Sequence, residues 1–123
     1  PYDYFKATIN KKFLNLKLFF NLEKLRKSKL IEEIEKDYDY PTIILFGSYA
    51  SATDDCKSDI DLFLLTEIKK EKDYSKFKNK LNREITLHIF SKSGFNLAKN
   101  KNPELLNNIL NGITLSGKLE VFQ

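Results

Sequence analysis

Thr42-Ile43-Ile44-Leu45-Phe46-Gly47-Ser48 and, ten residues further on, Asp59-Ile60-Asp61-Leu62 decide how this chain folds. The first run is short, β-branched and apolar on both faces up to Phe46, the pattern of a strand buried between two layers. Gly47-Ser48 closes it abruptly. A helix starting there would turn free backbone N–H groups and a positive dipole end toward the turn, which attracts phosphate. Gly47 has no side chain to block a triphosphate, and the Ser48 hydroxyl can donate to a phosphate oxygen. Taken alone, a Gly-Ser pair equally suits an ordinary strand-ending turn.

Asp59 and Asp61 stand two apart at the start of a second apolar run, Ile60 to Leu65, and therefore project from one face of a strand. Neighbouring carboxylates repel unless a cation or hydrogen-bond donors neutralise them. A hard divalent ion such as Mg²⁺ suits such a pair and carries phosphate ligands of its own. The other reading has Asp59 bounding the strand and Asp61 facing solvent.

Working outward, Phe13 to Lys36 repeats apolar residues at helical spacing, predicting one or two amphipathic helices with a break near Asn21, ended by Pro41. Tyr49 to Ser58 reads as a short helical turn running into a loop. Lys70 to Leu81 presents Tyr74, Phe77 and Leu81 on one helix face, and Ile85 to Phe90 alternates like a third strand. Phe95 to Leu110 is helical in pattern, with Pro103 suited to a first turn. Gly112 and Gly117 flank a final extended stretch that runs on through Leu119 to Phe122. There is no internal repeat.

With 123 residues, 41% hydrophobic and 31% charged, the composition is that of one globular unit with an N-terminal extension rather than a disordered chain. No apolar run approaches the length needed to span a bilayer and no charged-then-apolar leader opens the sequence, so a soluble protein is expected, with no membrane partner. The opening residue is Pro1 rather than Met, as in a processed or trimmed chain. Cys56, the single cysteine, has no disulfide or zinc partner, which fits a reducing compartment, the cytoplasm. The net charge of +4 is compatible with a polyanionic partner, and equally with a lysine-rich background composition.

Ile43-Ile44-Leu45-Phe46-Gly47-Ser48 followed by Ser58-Asp59-Ile60-Asp61-Leu62 resembles the signature of the polymerase beta nucleotidyltransferase superfamily. The phrases Gly-Ser-Tyr-Ala and Ser-Asp-Ile-Asp-Leu are those of its minimal nucleotidyltransferases. The resemblance implies an α+β fold, a short mixed sheet with helices packed on it, preceded by N-terminal helices. It divides the chain into a helical extension or linker over 1–40 and a nucleotidyltransferase domain over 41–123. It implies transfer of a nucleoside monophosphate from a triphosphate such as ATP to a hydroxyl acceptor, with release of pyrophosphate. Asp59 and Asp61 would hold two magnesium ions, and Gly47, Ser48 and Ser58 would bind the nucleotide. Such transfer needs positioning and charge neutralisation, with no covalent nucleophile.

Relatives carry a third carboxylate on the following strand. Here the polar face of Arg83-Glu84-Ile85-Thr86-Leu87-His88 shows Glu84, Thr86 and His88, with Thr86 at the aligned position. Glu84 would supply the acid if the register shifts, and His88 would serve as a base or metal ligand; otherwise all three line a polar strand face. Ser51 and Ala52 stand where many relatives have arginine and glycine. The resemblance further implies a protein partner or acceptor of the toxin and antitoxin kind, or RNA. A second reading is a catalytically impaired, nucleotide- or DNA-binding regulatory module, with Asn10 to Lys36 as the connection to a DNA-binding segment.

Overall fold

The computed structural model describes residues 2–119, with side chains from residue 10 onward. Short apolar, β-branched runs place the first two strands, and alternation the third, at the expected residues: β1 (Thr42–Phe46), β2 (Ile60–Leu65) and β3 (Ile85–Phe90). A fourth, β4 (Ile113–Ser116), fills the stretch between Gly112 and Gly117, while residues 120–122 of the expected extension lie outside the described residues. The sheet order is β3-β2-β1-β4, with β2 and β4 antiparallel to β1 and β3 parallel to β2. This is a mixed sheet within an α+β fold. Gly112 is needed at the entry to β4, because a Cβ there would lie 2.5 Å from the Leu45 carbonyl oxygen.

Helices cover both faces. Ile43 and Leu45 of β1 and Ile60, Leu62 and Leu64 of β2 point to one side. There they meet Leu25 from α1 (Tyr2–Ser28), Leu30 and Ile34 from α2 (Leu30–Asp37), and Phe77 and Leu81 from α4 (Lys76–Leu81). The opposite parity, Ile44, Phe46 and Phe63, packs on Phe95 of α5 (Lys92–Lys101) and Ile109 of α6 (Pro103–Leu110). Residues on both sides of position 40 thus share one core, and complete burial of Leu30 and Ile34 stabilises it by about 1.5–3 kcal/mol each.

Three helix boundaries depart from the periodicity. The N-terminal helix breaks at Lys29 (φ 68) and not near Asn21, which is buried and donates to the Tyr49 carbonyl at 3.1 Å and to Asp54 Oδ1 at 3.0 Å. The helix expected from Lys70 starts only at Lys76: Asp73 Oδ1 accepts from the Ser75 amide at 2.9 Å, a side-chain turn that competes with helix. Phe95 to Leu110 divides into α5 and α6 because Asn102 caps the second helix, accepting from the Leu105 amide at 3.1 Å, with Pro103 behind it. Along the outer side of α1, Phe13, Leu16, Phe19 and Phe20 remain 64%, 56%, 57% and 54% exposed, so that face lies outside the core.

Candidate functional site

The antiparallel β1–β2 ladder brings the end of one strand to the beginning of the other, pairing Phe46 with Asp61. Gly47 follows with φ +75, and a Cβ built on it would meet Asp61 Oδ2 at 2.6 Å. Only glycine satisfies both the left-handed backbone and the adjacent carboxylate. The short helix α3 (Gly47–Ser51) starts at Gly47 itself, earlier than the expected Tyr49, and leaves Gly47 exposed with Ser48 half-buried.

The parallel β2–β3 register pairs Asp61 with Thr86 and Phe63 with His88. Asp59, Asp61, Thr86 and His88 consequently share one sheet face, with Asp59 exposed and the other three half-buried. Thr86 Oγ1 donates to Asp59 Oδ2 at 3.0 Å, and the His88 Nε2–H tautomer donates to Asp61 Oδ1 at 3.3 Å. The His88 ring stands edge-on to Phe46, with centroids 4.9 Å apart. The side chains of Asp61 and His88 are 29% and 32% exposed, open enough for a ligand to reach.

Glu84 is engaged elsewhere. Its carboxylate is ion-paired with Lys78 on α4, and it lines a cleft between that helix and β3 together with Tyr38, Ile85 and Leu87. Ser58 is half-buried, its hydroxyl accepting from the Asp55 amide at 3.0 Å and donating to Asp55 Oδ1 at 3.2 Å, which fixes the turn delivering Asp59. Bonds from the Lys57 backbone and the Ser58 side chain hold the Asp55 carboxyl below its ordinary range. Ser51 Oγ donates to the Ser48 carbonyl at 3.2 Å, and Ala52 adopts the left-handed region (φ 60), which explains physically why glycine suits that position.

Behind the site lies a buried polar hub that periodicity does not reveal. The Asp54 side chain is 1% exposed and takes ion pairs from Arg83 at 3.2 Å and Lys17 at 3.4 Å, besides the Asn21 bond. Burial alone would raise its pKa, but the hydrogen bonds from Asn21 and Arg83 and the Lys17 charge prevail and lower it. The hub ties α1 to the loop joining α3 to β2 and to the residue before Glu84. The nearby Tyr49 hydroxyl, raised in pKa by burial, points to the Asn21 carbonyl at 3.4 Å.

The carboxylate oxygens of Asp59 and Asp61 are the hard donors magnesium prefers, and two of them on one face suit a divalent ion whose remaining ligands are phosphate and water. Among the described residues no group of three or more His, Cys, Asp or Glu side chains is placed to hold a metal ion. No helix among them is long and apolar enough to cross a membrane.

A glycine turn beside paired strand aspartates on a mixed sheet defines a nucleotidyltransferase fold. The family model described as polymerase beta, nucleotidyltransferase matches residues 28–120, and the chain belongs to that family. No curated protein matches it significantly.

Proposed function

We propose that this protein binds a magnesium–nucleoside triphosphate between Gly47-Ser48 and the Asp59–Asp61 pair and transfers the nucleoside monophosphate to a hydroxyl on a protein or RNA. The observation that carries the reading is that Asp61 Oδ2 lies where a Cβ on Gly47 would intrude, which sets a side-chain-free turn against a carboxylate that can take a phosphate-bound cation. In the reaction the acceptor oxygen attacks the α-phosphorus in line. The bond from that phosphorus to the bridging oxygen breaks, pyrophosphate departs with the electron pair, and the acceptor proton passes to solvent. Bound magnesium neutralises phosphate charge. Gly47 leaves space for the phosphates, Ser48 donates to one of their oxygens, and Asp59 and Asp61 hold the cation. Ser58 acts beside them, locking the turn that aims Asp59. A protein acceptor or partner of the toxin and antitoxin kind, in the cytoplasm, is the reading we favour. The exposed Phe13, Leu16, Phe19 and Phe20 offer such a partner an apolar face.

The test is incubation with α-labelled nucleoside triphosphates, magnesium and a cell extract, comparing wild type with the Asp59→Ala, Asp61→Ala double variant. Metal-dependent labelling by the wild type alone is expected; no labelling by either protein would sink the enzyme reading. A second reading draws on a specific pair of contacts, Thr86 at the position of the usual third acid and Glu84 tied to Lys78. On it the chain is a regulatory module whose turnover is impaired, with Asn10 to Lys36 as the connection to a DNA-binding segment. Duplex DNA binding should then weaken steeply with salt and ignore the double substitution.

A further inference from the structure

We infer that the Asp59–Asp61 site takes one divalent ion rather than two, and takes it together with the nucleotide. The inference rests on the nucleotide-binding reading above. Each carboxylate already has one oxygen engaged, Asp59 Oδ2 by the Thr86 hydroxyl and Asp61 Oδ1 by His88 Nε2. Asp59 Oδ1 and Asp61 Oδ2 are the oxygens left without a side-chain donor among the described residues. Asp61 Oδ2 is the atom that faces Gly47, on the side assigned to phosphate.

Charge leads to the same count. The triphosphate's negative charge is common to a one-ion and a two-ion site, so the protein's share decides between them. Here that share is two carboxylates, which balance one divalent cation. A second ion at the usual two-metal spacing of about 3.5–4 Å adds a repulsion about four times that of unit charges at the same separation. A third carboxylate would offset that repulsion, and the Thr86 hydroxyl is neutral. Glu84, the nearest acid in sequence, is committed to Lys78 and exposed at the other side of the strand's start. The first ion also lacks a full set of protein ligands, since two carboxylates, each with one oxygen hydrogen-bonded to a neighbour, leave most of a hard cation's coordination to other groups. Triphosphate oxygens supply them, so nucleotide and ion should bind as one.

Thr86→Asp is the variant that isolates the cause, because residue 86 pairs directly with Asp61 in the β2–β3 ladder. The experiment counts Mn²⁺ on the full chain by electron paramagnetic resonance, with and without a non-hydrolysable triphosphate analogue. The wild type should hold one ion per chain with the analogue and retain at least tenfold less without it. Thr86→Asp, shown to be folded by circular dichroism, should approach two ions with the analogue and retain Mn²⁺ alone at least tenfold better than wild type. Two ions on the wild type with nucleotide, or one held equally well without it, overturns the inference while leaving the nucleotide site standing. A folded Thr86→Asp with the wild-type count also overturns it. If Thr86→Asp does not fold, the wild-type count decides alone. Failure of the analogue to bind at all removes both this inference and the reading beneath it.

Discussion

Replacing Asp54 by alanine removes the carboxylate on which Asn21, Arg83 and Lys17 converge. With its side chain 1% exposed, Asp54 is the buried member of both ion pairs, and the Arg83 and Lys17 side chains are 17% and 31% exposed. Removing one partner of a buried pair costs about 3–5 kcal/mol because the opposite charge is left uncompensated. Partial access of both cations to water puts the expected loss at the lower end, about 3 kcal/mol. For a chain of this length that corresponds to a fall in Tm of about 12 °C, at about 4 °C per kcal/mol. Urea denaturation followed by circular dichroism at constant m-value measures it, and a double-mutant cycle with Arg83→Ala should return a coupling of at least about 1 kcal/mol. A loss below about 1 kcal/mol, or additive single substitutions, would show that the hub is a solvated surface feature and refute this reasoning.

The pH dependence of stability follows from the same carboxyl. Its folded pKa is depressed, so its contribution is present above the unfolded value of about 3.9 and is lost as pH falls through the folded value. The urea midpoint of the wild type should therefore drop below about pH 4 more steeply than that of Asp54→Asn; parallel curves would contradict the assignment. Gly47→Ala should fold, lose about 1–2 kcal/mol through its left-handed φ, and bind magnesium–triphosphate at least tenfold more weakly as Cβ displaces Asp61. Unchanged calorimetric binding would separate Gly47 from the site. Lys29→Gly, at φ 68 between α1 and α2, should raise stability by about 0.5–1 kcal/mol in thermal melts, and a decrease would deny the strain.

Strands were legible in the sequence and helix ends were not, and the difference is physical. Thr42 to Phe46, Ile60 to Leu65 and Ile85 to Phe90 declare themselves through residues that fit a pleated, buried surface, and their alternation also states which side chains share a face. Alternation sets Glu84, Thr86 and His88 on one polar face of the third strand. What it could not reveal was the partner each one takes, because Lys78 captures Glu84 from a helix whose start depends on the Asp73 turn. Asn21 suggests a helix break because small polar residues favour helix ends. Its amide instead serves Tyr49 and Asp54, 28 and 33 residues away, contacts that no local window contains. Lys29 breaks the helix without a glycine or proline to announce it. Asp54 and Arg83 carry no local signal for a similar reason, since charged residues in a polar loop ordinarily signal exposure, and only the fold buries them together.

The central claim is that Gly47, Ser48, Asp59 and Asp61 form one nucleoside triphosphate site that works through a divalent cation. Calorimetric titration of a non-hydrolysable triphosphate into the wild type and the Asp59→Ala, Asp61→Ala variant, with magnesium and with chelator, tests it most directly. The account predicts binding to the wild type that weakens at least tenfold on chelation and by a similar factor in the double variant with magnesium present. Binding of equal strength in both proteins, or binding indifferent to magnesium, would contradict it.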